Sequence, residues 1–212
     1  MPSTVPVPPL PSPAAQAEAL VTLGVHELVG LTARSLRSVA ASSPPGSLLV
    51  SGARASALAP LMRRGDRAGF VVVDMVDVDD FGPTPEAVAP PVPYVVEGID
   101  RGDEFADRTP AEVLPELLAA GRSPLTVEEG LHWVLVQPEV LERGHCFMTI
   151  GSRRPRAAGG YDARTPALWI SNGTGRDGRH RRGAPKLGWC WWGNRHTWLG
   201  IASCATRHTV SG

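Results

Sequence analysis

Residues 188–200 read GWCWWGNRHTWLG and hold four of the six tryptophans of the 212-residue chain. Two strand-like runs, LGWCWW and RHTWLG, flank a Gly-Asn dipeptide. Glycine and asparagine tolerate the positive φ angles that a two-residue hairpin turn requires. The stretch therefore predicts a β-hairpin in which Trp191 opposes His196 and Trp189 opposes Trp198.

Alternate residues of a strand point to opposite faces of a sheet, so this register also sorts the side chains. One face of the predicted hairpin carries three indoles and an imidazole, those of Trp189, Trp191, Trp198 and His196. This face has two interpretations, a core face or a binding surface, and the residues near the turn are the candidates for the second. The other face places Trp192 beside Arg195, which predicts a cation–π pair.

The chain around this stretch indicates a mixed fold. The runs CFMTIGS and ALWIS are strand-like and, with the hairpin, predict a C-terminal antiparallel meander. Upstream, SLLVSG, GFVVVDM and PYVVEG are short apolar runs with one helical segment among them, which indicates a small α/β sheet. Residues 14–41 have helical periodicity. The predicted class is α+β, with N-terminal helices and an α/β segment before the meander.

Two further helices are marked by their first turns. Thr109 precedes a proline and is followed three residues later by Glu112, and Thr126 stands in the same relation to Glu129. A threonine and a glutamate at this spacing satisfy each other's backbone N–H groups in a capping box. We therefore predict helices that begin after Thr109 and Thr126, the first of them distorted by Pro115.

Several of these segments resemble a known family. The runs HCFMTIGSR, DARTPALWISNGTGRDG and GAPKLGWCWWGNRHTWLG, with GFVVVDM upstream, are similar to a family of uncharacterised actinobacterial proteins described only as a domain of unknown function. The resemblance covers most of the chain after its N-terminal segment. It implies no activity.

Composition bounds the organisation of the chain. Six of the first 13 residues are proline, which predicts a disordered tail over 1–13 and a single domain over 14–212. The tail has no basic residue, so it does not resemble a signal peptide. No apolar run is long enough to span a bilayer. Three cysteines without a metal-binding spacing indicate a reducing cytoplasm.

Charge divides the chain into two halves. Residues 66–142 hold 17 acidic and 4 basic residues, a formal charge of −13, and residues 143–198 hold 11 basic and 2 acidic residues, a charge of +9. Either the basic half binds an anion or the two halves face and neutralise each other. Both alternatives remain open at this point.

The basic half supplies the candidate site residues. Arg164 and Arg195 lie beside strands, where a guanidinium can hold an anion in two hydrogen bonds. Trp191 is the candidate for stacking on a ring, and His196 is the candidate for proton transfer because its ordinary pKa lies near neutrality. Two amides, those of Asn172 and Asn194, complete the predicted ligand-binding set.

Other chemistries are less well supported. The ligand types of His145, Cys146, Cys190 and His196 suit zinc, but their spacing matches no zinc pattern, and we predict no metal and no cofactor. Asp77 and Asp79 can hold Mg²⁺ if they share a face, or they belong to a solvated loop.

Three function classes follow from these observations. The first is a protein that binds a small anionic molecule through its Trp/Arg/His-rich β region, with or without catalysis. The second is a single-stranded nucleic-acid-binding module that uses the same arginines and tryptophans. The third is a scaffold without chemistry. The sequence ranks the first above the second because the total charge is zero, and it leaves the oligomeric state open.

Overall fold

The structure, a computed structural model, describes residues 7–210. Its α-helices are α1 (Pro13–Thr22), α2 (Val25–Leu28), α3 (Ala33–Ala41), α4 (Ala55–Leu58), α5 (Pro110–Ala119) and α6 (Val127–Val136). Short 3₁₀ helices are Ala59–Leu61, Val78–Asp80, Pro85–Ala87, Asp103–Phe105, Pro138–Val140, Gly175–Asp177 and Arg179–Arg181. The strands are β1 (Leu48–Val50), β2 (Arg63–Arg64), β3 (Arg67–Ala68), β4 (Phe70–Val71), β5 (Gly82–Pro83), β6 (Tyr94–Glu97), β7 (Ser123–Pro124), β8 (Cys146–Met148), β9 (Ser152–Arg153), β10 (Arg164–Ile170), β11 (Pro185–Trp191), β12 (Leu199–Ile201), β13 (Ser203–Cys204) and β14 (Thr206–Thr209).

The largest sheet has five strands in the order β12-β8-β10-β11-β4. Its centre is the long antiparallel pair of β10 and β11, while β4 and β12 join the two edges in parallel with their neighbours. A second sheet, β1-β6-β14, is antiparallel, and three two-stranded pairs complete the strands of the described chain. The predicted α+β class is confirmed.

The predicted hairpin at the Gly-Asn dipeptide is wrong. A turn exists there, because the Asn194 N–H donates to the Trp191 carbonyl at 3.1 Å. The strands on either side do not pair with each other: β11 pairs with β10, which places Trp189 opposite Pro166, and β12 lies on the far edge beside β8. Gly193 and Asn194 determine a local turn, but pairing with strands that are distant in the sequence determines the partners of β11 and β12.

Helix α6 is the centre of the core. Leu131, Trp133 and Val134 are buried on different sides of it, as expected for a helix covered on every face. A Cβ built on Gly130 lies 2.6 Å from Thr149 and 3.0 Å from Leu168. The main sheet therefore approaches α6 so closely that only a glycine fits at position 130.

Both predicted capping boxes are confirmed. The Thr126 hydroxyl accepts from the Glu129 N–H while the Glu129 carboxylate accepts from the Thr126 N–H, and Thr109 and Glu112 repeat this arrangement. Pro115 lies inside α5 without ending it.

The cap of α6 extends into a buried ionic network. The Glu129 carboxylate accepts from Arg207 at 2.5 and 2.7 Å and from the Tyr94 hydroxyl at 3.0 Å. Arg207 also donates to the Ser123 hydroxyl and the Pro124 carbonyl. The Glu129 side chain is fully buried and that of Arg207 is 6% exposed. This network, which we call the α6 ion pair, joins α6 to β6, β7 and β14.

The N-terminal segment is held against the domain from Val7 onward. The Gln137 amide donates to the Pro8 carbonyl at 2.9 Å, and Leu10 packs against the core. Pro13 is buried as the first residue of α1. Residues 7–13 of the predicted tail therefore have defined contacts, and residues 1–6 lie outside the described residues.

A second buried polar group lies where α6 meets β1. The Ser51 N–H and hydroxyl lie 3.1 and 2.8 Å from His132 Nε2. Because an N–H can only donate, Nε2 accepts and Nδ1 donates to the Glu128 carbonyl at 2.7 Å. Burial lowers the pKa of His132 to about 4 and raises that of the nearby Glu128 to about 7. His132 is therefore neutral within the fold near pH 7, and the titration of Glu128 moves into the neutral pH range.

We predict that substitution of Glu129 by alanine destabilises the fold by about 3–5 kcal/mol, because Arg207 then remains as a buried charge without its carboxylate. The measurement is the urea midpoint at pH 7. The control is Glu18→Ala, which removes the exposed partner of Arg37 and should leave the midpoint almost unchanged. Equal midpoints for the two variants would contradict the role assigned to the α6 ion pair.

We also predict opposite pH responses for two variants of α6. The folded pKa of His132 lies below its unfolded value of about 6.5, so its contribution of roughly 3 kcal/mol is present above pH 6.5 and is lost as the pH falls toward 4. The folded pKa of Glu128 is raised, so its contribution is present below its unfolded pKa and is lost as the pH rises through 7. The two effects oppose each other in the native chain.

Urea midpoints measured between about pH 7.5 and about pH 4.5, a range that covers most of both titrations, separate the two groups. Relative to the native chain, Glu128→Gln should lose stability more steeply on acidification, and His132→Gln should lose it less steeply. Parallel pH profiles for all three proteins would show that neither group changes its protonation on unfolding.

Candidate anion-binding groove

Two adjacent cavities lie at one end of the main sheet and share two residues. Trp169, near the end of β10, and Asn172, just after that strand, line both of them. Their volumes are about 280 and 260 Å³. We call the two together the Trp169 groove.

The first cavity of the groove has walls of Trp189, Val72 and Val73, and its charged residues are paired. Lys186 Nζ lies 2.6 Å from the Asp177 carboxylate and 4.5 Å from the centre of the Trp169 ring. At the rim, Arg176 lies 3.0 Å from Asp74. These cations are neutralised by neighbours within the fold.

The carboxylate of Asp177 is held ionised in this cavity. Burial opposes its ionisation, but hydrogen bonds from Lys186 and from the Ser171 hydroxyl keep the pKa of Asp177 below its usual value. The pair with Lys186 therefore persists near neutral pH.

The second cavity is lined by Trp198, Arg143, Gly144, Cys146 and Ile170 in addition to the shared residues. The Trp198 and Trp169 rings lie 6.0 Å apart with their planes at 65°. Exposed Arg143 donates to the Asn172 amide oxygen at 3.4 Å. No carboxylate of residues 7–210 lies within 4.0 Å of its guanidinium. Arg143 thus brings a positive charge to an aromatic cavity without a neutralising partner.

Asn172 is the one predicted ligand-binding residue that lines the groove, while Trp191 and the catalytic candidate His196 contact residues of its walls. The Trp191 ring contacts that of Trp189 at 4.5 Å and is 45% exposed. His196 contacts Trp198, with ring centres 5.6 Å apart, and lines neither cavity. Burial lowers the pKa of His196. Its role in proton transfer stays a prediction, one side chain removed from the cavity.

Arg164 is part of an internal ionic cluster. Its guanidinium donates to Asp77 at 2.6 and 3.0 Å and to Asp162 at 2.9 Å, and Arg154 also reaches Asp77 at 2.7 Å. The hydrogen bonds from Arg164 lower the pKa of Asp162 to about 2 and also lower that of Asp77. The fold itself supplies the bidentate anion predicted for Arg164.

Hydrogen bonds within the fold also occupy the carboxylates of Asp77 and Asp79, the two residues of the magnesium alternative. Asp79 accepts from the Ser56 N–H and hydroxyl at 2.9 and 2.6 Å. The two carboxylates thus face different protein donors, and no group of three metal-ligating side chains occurs among the described residues.

Arg195 and Asn194 lie on the exposed segment between β11 and β12 and line neither cavity. Arg195 pairs with Glu112 and donates to the Asp107 carbonyl at 2.9 Å. The predicted Trp192–Arg195 pair is wrong: the cation over the Trp192 ring is Arg153, 3.9 Å from its centre.

The three cysteines are reduced and buried. Cys146 is the one that lines the groove, and its thiol donates to the Glu142 carbonyl at 3.3 Å. Burial raises the pKa of Cys146 and Cys204 to about 11 and that of Cys190 to about 12. A thiol protonated at neutral pH is a poor nucleophile. The neighbouring His145 ring lies 3.4 Å from Asp103.

Sequence reasoning missed three residues of the groove: Trp169, Trp198 as its wall, and Arg143. Trp169 stands three residues before the predicted ligand Asn172, in a run identified only as a strand. Arg143 lies between a helical segment and a strand-like segment and belongs to no sequence motif. The sequence therefore does not identify it as a site residue.

A family model with the description "Family of unknown function (DUF5701)" matches residues 19–210, and the chain belongs to that family. The actinobacterial source of the family stays a prediction. Comparisons with curated proteins and with solved structures find no match. Among the described residues, no helix combines the length and the apolar character that crossing a bilayer requires.

We predict that the native protein reacts with a thiol-specific reagent at none of its three cysteines within minutes at pH 7, because thiolate is scarce and all three residues are buried. In guanidinium chloride all three should react at once. The measurement is the number of thiols labelled by Ellman's reagent. A single fast-reacting thiol in the native protein, lost in Cys146→Ser, would instead mark Cys146 as a nucleophile of the groove.

Proposed function

We propose that this member of DUF5701 binds a small anionic molecule with a planar ring in the Trp169 groove. Ligand cavities are typically about 300–1,000 Å³ in volume and are lined by aromatic side chains with a few polar groups. Each cavity of the groove falls just below this range, and the two volumes taken together fall within it. The groove therefore suits one molecule that extends through both cavities.

Three indoles that line the groove support the proposal that the ligand contains a planar ring. Trp169 lines both cavities, Trp189 is a wall of the first and Trp198 is a wall of the second. All three are only partly buried, although indoles contribute most when they are fully covered. A flat ring stacked on the open side of one of these indoles would remove further apolar area from water.

The positive charge of Arg143, which has no carboxylate partner among the described residues, is the observation that supports an anionic ligand. The cations of the first cavity, Lys186 and Arg176, already have carboxylate partners, whereas Arg143 contacts an amide oxygen. An anion at Arg143 would form charge-assisted hydrogen bonds, which are shorter and stronger than those between neutral groups. The Asn172 amide, shared by both cavities, would orient the ligand.

We propose ligand binding in the Trp169 groove and no catalytic step. The thiol that lines the groove has a raised pKa, and His196 lies behind Trp198. The free cysteines fit a reducing compartment, so a cytoplasmic location and an intracellular metabolite are the corresponding proposals.

A thermal-shift experiment tests the proposal with three probes: adenosine 5′-monophosphate, benzoate and inorganic phosphate. A ring-bearing anion at about 100 times its Kd should stabilise the fold by about 2.7 kcal/mol, a shift of roughly 5–10 °C for a chain of this size. Inorganic phosphate at the same concentration should produce a smaller shift. Quenching of tryptophan fluorescence should follow the same order.

Arg143→Ala should weaken binding of the ring-bearing anion about 10- to 100-fold, the loss expected for a charged hydrogen bond. Arg156→Ala is the matched control, because Arg156 is an exposed arginine that lines neither cavity. Equal binding by the two variants, or equal shifts with phosphate and with both ring-bearing anions, would contradict the proposal.

A further inference from the structure

Two loops that are far apart in the sequence meet on the surface beside β4. The first is the short β2–β3 hairpin, residues 63–68, and the second contains residues 175–183. Arg67 of the first loop donates to the His180 carbonyl of the second at 3.1 Å. Arg181 lies 4.2 Å above the ring of Phe70, the first residue of β4. These contacts fix the second loop against the first.

The junction concentrates arginines. We call this region the basic surface, and its members are Arg64, Arg67, Arg179, Arg181 and Arg182. All are exposed except Arg181, which is partly buried on Phe70.

Few carboxylates neutralise the basic surface. Asp66 lies 3.5 Å from Arg67, and Glu139 and Glu142 share a cavity with Arg64. For Arg179 and Arg182, the structure shows no side-chain hydrogen bond or ion pair within the described chain. These two guanidiniums are thus available to an external anion.

The basic surface is continuous with the Trp169 groove. Phe70, beneath Arg181, pairs with Lys186 across β4 and β11, and Lys186 lines the first cavity. A polymer of phosphates on the arginines would therefore bring its attached groups to the cavity whose walls include Trp169 and Trp189.

We propose that the basic surface binds the phosphate backbone of single-stranded nucleic acid. Proteins that bind single strands combine arginines along the backbone with aromatic side chains on which unpaired bases stack. Here Trp169, Lys186 and Phe70 lie side by side across β10, β11 and β4, and Arg181 of the basic surface covers Phe70. The backbone contact goes beyond the proposed small-molecule site and does not require Arg143.

The composition of the two loops favours nucleic acid over an anionic membrane. The first loop, the β2–β3 hairpin, reads RRGDRA over residues 63–68, and the second loop reads GRDGRHRRG over residues 175–183. A helix or loop that enters a membrane interface needs large apolar side chains beside its basic ones. Neither loop has one.

The test measures fluorescence anisotropy of a labelled oligothymidylate of about 20 nucleotides, long enough for a single-strand site. Arg179→Ala/Arg182→Ala should weaken binding at least about 10-fold, and the slope of log K against log salt should fall by about 1.4, since each phosphate contact on a single strand contributes about 0.7. The matched control is Arg34→Ala/Arg156→Ala, which removes the same charge from exposed positions elsewhere and should leave both quantities unchanged.

Further arms separate this proposal from the groove and from a membrane. Arg143→Ala should bind the oligothymidylate like the native protein, and Arg179→Ala/Arg182→Ala should bind adenosine 5′-monophosphate like the native protein. Absence of oligothymidylate binding at low salt, or equal affinity of the two double variants, would overturn the proposal. So would binding that depends on Arg179 and Arg182 for phosphatidylserine vesicles but not for the oligothymidylate.

Discussion

The fold depends on a charge pair that water does not reach. Removing Glu129 and Arg207 from water costs several kcal/mol for each ion, and their attraction offsets this cost only when the remaining donors and acceptors are also paired. The structure meets that condition, because Tyr94, Ser123, the Pro124 carbonyl and the Thr126 N–H complete the network. A shift of β14 by one residue would turn Arg207 to the other face and leave Glu129 unpaired. The α6 ion pair therefore specifies the register of the smaller sheet.

That register reaches the Trp169 groove through α6. The helix begins at the ion pair, packs against β1 through His132, and supports the main sheet at Gly130. Gly130 faces β8 at Phe147 and β10 at Leu168, and β10 runs from the internal ionic cluster of Arg164 to Trp169. One end of β10 is thus fixed by paired charges, and the other end opens into the groove. Strands β10 and β11 therefore hold Trp169, Lys186 and Trp189, whereas Arg143 and Asn172 of the groove lie on the adjoining loops.

Features encoded within one turn of chain could be predicted from the sequence, and features that depend on distant partners could not. The capping boxes were predictable because Thr126 and Glu129 satisfy each other three residues apart. The Gly-Asn turn was predictable for the same reason. The strand partner of β11 was not, because β11 pairs at seven positions with β10, a strand that the local sequence around the turn does not identify. The site suffered the same limit: Arg164 has the right chemistry for an anion, but Asp77, 87 positions away in the chain, is the anion it binds.

Charge connects these observations. The acidic and basic halves of the sequence neutralise each other across the fold, through pairs such as Asp77 with Arg154 and Arg164, Asp74 with Arg176, and Glu112 with Arg195. Because the halves are matched in this way, an arginine that remains without a carboxylate is more informative than the local count of arginines. Arg143 in the groove and Arg179 and Arg182 on the basic surface are such residues. Arg143 shares a cavity with the partly buried indoles of Trp169 and Trp198, and Arg181 of the basic surface covers Phe70, the cross-strand neighbour of Lys186. These positions, rather than the overall charge of zero, are the reason that we propose anion recognition at this end of the main sheet.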